Sequence, residues 1–232
     1  MYRWLEVLAL IVFLRQKVNK SLLLFSLTLL VHQPGLAESV FPIGNFSRND
    51  LDGWEHKSFK GETRYRLLAI DGVIALAADS RAAGSGLFKE LTVDLTQTPY
   101  LNWSWRVTQP LAGLNEQSKL GDDYAARLYV VVKGGLAFWQ TRAINYVWAG
   151  NNQKNSVWPN AFAGDHAMML ALRGPEAPVN IWQHEKRNIR ADFKQLFGDD
   201  ISNINAVAIM TDTDNSGREA SAAYGDIWFS KE

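Results

Sequence analysis

The chain has 232 residues, with 24 acidic and 24 basic side chains, no cysteine and nine tryptophans. Balanced charge without a basic stripe argues against nucleic acid as a partner. The lack of cysteine excludes disulfides, thiolate nucleophiles, thiolate-bound metals and a lipidated cysteine.

Residues 1–37 read as an export signal. Lys17 and Lys20 precede the apolar run Leu22 to Val31, and Gly35-Leu36-Ala37 offers small residues for cleavage after Ala37. A second apolar run, Val7 to Leu14, lies upstream, so a start at Val18 would give a compact bacterial signal peptide. Neither run reaches the roughly 20 residues of a membrane span, and Arg15, Lys17, Asn19 and Lys20 separate them. The expectation is an exported, periplasmic or secreted protein without a stable transmembrane anchor. Residues 38–232 are expected to form one domain.

From Phe41 the chain becomes a series of short apolar stretches between Gly, Asn, Asp and Pro. Phe41 to Phe46 reads as a first strand. Trp54 to Phe59 and Thr63 to Ile70 bracket Lys60-Gly61 as a hairpin, and Asp71-Gly72 makes a second one with Val73 to Leu76. Ser85 to Leu95 follows. Tyr100 to Val107 alternates strictly, with Leu101, Trp103, Trp105 and Val107 on one face, expected to be buried. Thr108 to Gly121 reads as a polar surface connection.

Asp122-Asp123 opens the strand Tyr124 to Lys133, whose Arg127 requires an acidic partner or an exposed face. Arg142 to Trp148 is a further strand, Trp158-Pro159-Asn160 a turn, and His166 to Leu172 and Val179 to Glu185 are strands. Ala191 to Phe197 has helical spacing and Gly198 as its stop. Val207 to Thr211 and Ile227 to Phe229 read as strands joined in a terminal hairpin. The pattern predicts an all-β antiparallel sandwich of jelly-roll type with one short helix.

Several motifs, taken in order, resemble the uncharacterised, mostly bacterial domain-of-unknown-function family 3047. They are Trp103-Ser104-Trp105, Gly121 to Arg127, Ile144 to Trp148, Glu185 with Arg187-Asn188, Asp192, and Thr211 to Asn215. The resemblance implies an exported β-sandwich similar in appearance to carbohydrate-binding modules, and brings no known activity or catalytic residue.

Four groups of residues are candidates for function. Tyr146, Trp148, Trp158 and Trp182 would stack on a sugar ring if exposed, with Trp158 the one placed most readily on a surface; the alternative is that they fill the core. Asp122, Asp123 and Arg127 suit a ligand pocket, a glycosidic acid pair or a structural ion pair, although adjacent aspartates on one strand point to opposite faces. Glu185 and Arg187 belong to a charged run in which Arg187 has the fork for a uronate carboxylate. Asp212 and Asp214, followed by Asn215, Ser216 and Gly217, match the first half of a calcium loop but have Ala223 where an EF-hand needs a bidentate glutamate. Calcium and a plain turn both account for them. His56, His166 and His184 are scattered without metal-ligand spacing. The leading expectation is a non-enzymatic binding module for a carbohydrate or envelope glycan. The alternatives are an envelope glycan hydrolase or lyase using paired carboxylates, and a structural or partner-binding protein.

Overall fold

A computed structural model describes residues 40–135 and 138–232. The signal segment and its expected cleavage site lie outside the described residues. The strands are β1 (Phe41–Gly44), β2 (Glu55–Lys60), β3 (Arg64–Ile70), β4 (Val73–Arg81), β5 (Gly84–Asp94), β6 (Tyr100–Val107), β7 (Arg127–Val132), β8 (Arg142–Trp148), β9 (Val157–Asn160), β10 (Gly164–Arg173), β11 (Gln183–Asn188), β12 (Asn203–Asp212) and β13 (Glu219–Ser230). Helix α1 spans Ile189–Phe197. The Asn188 side chain caps its start by accepting from Ala191 N, and Gly198 closes it in the left-handed region at φ 77°.

Two sheets form the expected sandwich. One has six strands in the order β11-β6-β13-β4-β3, with β1 paired to the far half of β13. The other has seven, in the order β2-β5-β12-β7-β8-β10-β9. All pairs are antiparallel except β8 with β10, which run parallel. No helix among the described residues is long and apolar enough to cross a membrane.

The space between the sheets is filled by rings. Trp103 and Trp105 of β6 are buried as their alternation predicts. They meet Tyr146 and Trp148 of β8 from the opposite sheet, with ring centroids 5.4 Å apart for Trp103–Tyr146 and 6.0 Å for Trp105–Trp148. Offset and tilted contacts at this distance add to the area these rings remove from water.

The turn at Asp71-Gly72 is a two-residue hairpin, Ile70 pairing Val73, with both turn residues at positive φ. The other two expected hairpins are different objects. β2 pairs with β5, and β3 with β4, so the chain crosses between sheets at Gly61 to Thr63. β12 and β13 likewise lie in different sheets, joined by Thr213 to Arg218. A third crossing joins β4 to β5. The three stack at one end of the sandwich. Thr213 N donates to the Ala83 carbonyl, Thr213 Oγ1 contacts Ser80 Oγ, and Thr63 Oγ1 donates to the Thr211 carbonyl.

Two smaller expectations also change. Trp158-Pro159-Asn160 belongs to edge strand β9, where a proline without an N–H is tolerated. The connection 108–121 is not wholly on the surface: Leu111, Leu114 and Glu116 are buried, and Glu116 accepts hydrogen bonds from Gly150 N at 2.6 Å and Asn152 N at 3.0 Å.

Candidate functional site

The outward face of the seven-stranded sheet is read from register. β12 presents Ala206, Ala208 and Met210 outward. β7 lays Val131, Tyr129 and Arg127 beside them, and β8 adds Ala143, Asn145 and Val147 in turn. Small side chains on neighbouring strands leave a depression over Gly86, Ala208, Ala143 and Ala167. Phe59, Tyr129 and Phe162 form aromatic walls, and Asp122, Arg127, Asn145, Asn160, Asp212, Asp214 and Asn215 supply the polar lining. The cavity holds about 80 Å³. A single water needs about 10–15 Å³ on such a measure, so there is room for several waters or for part of a small ring.

At the end of the cavity nearest the stacked crossings, Arg127 sits within an ion network. Its guanidinium forks onto Asp212, Nε donating to Oδ1 at 2.8 Å and Nη2 to Oδ2, and Nη2 also donates to the Asp122 carbonyl at 2.8 Å. The Asp122 carboxylate lies 3.7 Å from Nη1 and accepts from Asn160 Nδ2 at 3.2 Å on each oxygen. The guanidinium also lies over the Tyr124 ring, 4.5 Å from its centroid. Arg127 thus has the acidic partner that its place in an apolar strand required.

The two adjacent aspartates diverge, although neither lies in a strand, since β7 begins at Arg127. Asp122 lines the cavity, whereas Asp123 braces the 213–218 crossing, accepting from Asn215 N at 3.1 Å, Asn215 Nδ2 at 3.0 Å and Ser216 N at 2.6 Å. Asp214 comes to the same place. A Cβ on Gly84 would lie 2.5 Å from Asp214 Oδ1, so glycine there makes room for the carboxylate. Burial pushes Asp122 up to about 6 and Asp212 up to about 8, against the opposing pull of Arg127.

Oxygens of Asp123, Asp212 and Asp214 lie within 4.8 Å of one another, a grouping that could hold a cation. All three already serve protein partners: Asp212 carries the Arg127 fork, Asp123 carries three N–H groups, and Asp214 Oδ1 accepts from Asn215 Nδ2 at 3.5 Å. A divalent ion would also have the buried Arg127 charge beside it. This donor set suits a braced turn better than a calcium shell.

The expected aromatic platform does not form. Tyr146 and Trp148 are in the core between the sheets, and Trp158 is only 3% exposed, packed with Tyr124, Val147 and Met169. Parity explains the β8 rings: they lie on its inward positions and fill the gap between sheets, where aromatic area is most stabilising, whereas Trp158 packs with outward-facing Val147 in a separate cluster. Trp182 is partly buried ahead of β11. Among the described residues the exposed tryptophan is Trp139, at 59%, on the β7–β8 connection.

Glu185 and Arg187 lie on the other sheet and serve structure. Glu185 Oε1 accepts from Trp105 Nε1 at 2.9 Å and Arg173 Nε at 2.6 Å. The Arg187 fork expected to meet a uronate closes instead on Asp192, with Nε at 2.9 Å and Nη2 at 2.5 Å, and Tyr146 OH donates to the same carboxylate at 2.6 Å. Burial and the Asp192 charge push the Tyr146 phenol well up.

The cavity residues that sequence reasoning missed are Tyr129, Asn145, Asn160 and Phe162. Asn145 is 1% exposed, lines the cavity, and its Oδ1 has no hydrogen-bond partner among the described residues. A buried amide oxygen left unmatched costs on the order of 1–3 kcal/mol, so it marks a place where a ligand donor fits. The available signal was parity: Asn145 alternates with Tyr146 in a strand whose rings face inward.

No curated protein matches the chain. Solved structures with a similar arrangement include a family 11 carbohydrate-binding module of a cellulosomal cellulase of Clostridium thermocellum, 10% identical, TM-score 0.46, covering 83% of this chain and 95% of that one. A family 30 carbohydrate-binding module from a cellulosomal cellulase of the same organism is 13% identical, TM-score 0.45, covering 78% and 92%. The xyloglucanase domain of a type three effector from Sinorhizobium fredii, in complex with cellobiose, is 10% identical, TM-score 0.44, covering 84% and 98%. A family model described as a protein of unknown function (DUF3047) matches residues 52–228, well over half of the chain, and the chain belongs to that family.

Proposed function

We propose that this protein is an exported, non-enzymatic module that binds a carbohydrate in the cavity on the outward face of its seven-stranded sheet. The observation carrying this reading is Asn145: a buried acceptor with no partner among the described residues, in a cavity with aromatic walls and a polar end. Such a surface suits a sugar, whose C–H faces pack on Tyr129 and Phe162 while hydroxyls pair with the amides and carboxylates. Isothermal titration calorimetry against a panel of soluble oligosaccharides tests it. Tyr129→Ala and Asn145→Ala should each weaken binding about tenfold. Binding unaffected by either substitution, or no binding across the panel, would overturn the assignment. Export rests on the sequence features of residues 1–37, and N-terminal sequencing of the periplasmic protein tests that part.

A second reading, glycan hydrolysis, draws on the Asp122 carboxyl raised to about 6, within the range of a general acid. It also needs a second carboxylate free to act across the bond. Asp212 carries the Arg127 fork and Asp123 the turn, so binding is better supported than cleavage.

A further inference from the structure

Three rows of side chains cross the cavity floor, and if it is a sugar site as proposed above they narrow the ligand class. Strand register sets the rows. Met210, Arg127 and Val147 form the one nearest the crossings, Ala208, Tyr129 and Asn145 the middle one, and Ala206, Val131 and Ala143 the third. Ala167 of β10 stands beside Ala143. Neighbouring rows are two residues, about 7 Å, apart along the strands. The third row is apolar. Val131, Ala143, Ala167 and Ala206 pack with Ala163 of the β9–β10 turn into one buried cluster, although the four strand residues face away from the gap between the sheets. Val131, Ala143 and Ala167 line the cavity with Phe162. Asn145, in the row between, holds a buried oxygen without a partner among the described residues. A ligand seated here meets an open amide and, one row further, a wall of methyl groups.

We propose that the cavity selects sugars bearing an acetamido group over counterparts with a hydroxyl in its place. The acetamide N–H donates to Asn145 Oδ1, and the methyl group reaches the alanines. That methyl carbon is two bonds beyond the nitrogen, so with a hydrogen bond of about 2.9 Å it covers most of the distance between rows. A hydroxyl can also donate to Asn145, but it leaves the alanine wall facing water. The match needs both a donor and an apolar tip, about one row apart. Neither depends on the charge of the acids at the crossing end.

Calorimetry at pH 7 with β-1,4-linked tetramers of N-acetylglucosamine, N-formylglucosamine and glucose provides the test. The N-formyl sugar keeps the N–H and lacks the methyl. The N-acetyl tetramer should bind about fourfold more tightly than the N-formyl one, the worth of one buried methyl, and about tenfold or more tightly than the glucose tetramer. Ala143→Val puts protein methyl groups where the ligand's would lie, and should bring the N-acetyl to N-formyl ratio close to one. Asn145→Ala should weaken both and leave their ratio. Melting curves check that the variants fold, and the wild-type ratio tests the proposal without them. Equal binding of the N-acetyl and N-formyl tetramers overturns acetamide selection while the carbohydrate reading stands. So does a ratio that Ala143→Val leaves unmoved in folded protein, or binding confined to other sugars of the broader panel. No binding of any tetramer or of that panel overturns both.

Discussion

Two arginines in this protein fork onto aspartates, and their surroundings differ in one respect. Arg187 meets Asp192, and Tyr146 supplies a further donor, so the group is balanced: one cation, one anion and a hydroxyl. Arg127 meets Asp212 with Asp122 and Asp214 close by, on the wall of a cavity. A balanced group has no use for a ligand and holds a strand to a helix. The Arg127 group instead borders open space and the open oxygen of Asn145. Arginine–carboxylate geometry alone does not mark a site; adjoining space and an open polar atom do.

The largest expected effect separates the two arginines directly. Arg127→Met leaves Asp122 and Asp212 buried with no cation, and should lower stability by about 3–5 kcal/mol in urea melts. A loss below about 1 kcal/mol would show that the acids are neutral in the native protein. The pH profile sharpens the point. Asp122 has a native value of about 6, above the unfolded one, so its contribution is fully present below the unfolded value and is lost as pH rises towards 6. Asp122→Asn should therefore gain on wild type by about 3 kcal/mol between about pH 4 and pH 6 and then level off. A difference flat with pH would remove the claim that burial raises this group. Arg187→Met should cost less, about 2 kcal/mol, because Asp192 keeps the Tyr146 hydrogen bond and Arg187 is partly solvated. Equal losses for Arg127 and Arg187 would show that the two groups do not differ in this respect. The smallest effect is calcium: melting temperatures in chelator and in millimolar calcium should coincide, since Arg127 and the turn amides serve the carboxylates. A gain of about 1.4 kcal/mol per tenfold rise in calcium would show a cation site at Asp123, Asp212 and Asp214.

The sandwich itself was legible in the sequence. β6 and β8 match their expected bounds, helix α1 extends two residues beyond its expected start, and Asp71-Gly72 makes the turn its residues predict. The crossings at Gly61 and at Asp214 to Gly217 read as hairpins because both kinds of connection use the same glycine and aspartate chemistry. Which sheet receives the next strand is decided by distant partners, β5 for β2 and β6 with β4 for β13, and these leave no mark on the turn. For the site, an arginine and aspartates in apolar company announced themselves. Tyr129 and Asn145 did not, because a tyrosine and an amide on an alternating strand are also what an ordinary solvated face contains. The tryptophans misled for a related reason: a ring that would serve a sugar also serves a core, and only the facing sheet decides between them.

The position of β13 has a consequence for how the protein acquires its shape. This strand separates β6 from β4 and also receives β1, although all three are made long before it. Until it arrives, β4 and β6 lack the neighbour each is built to pair with, and the tryptophans of β6 have only half a wall. Loop-closure entropy must be overcome across most of the chain before that sheet exists, which places the protein among slow, topologically demanding folders.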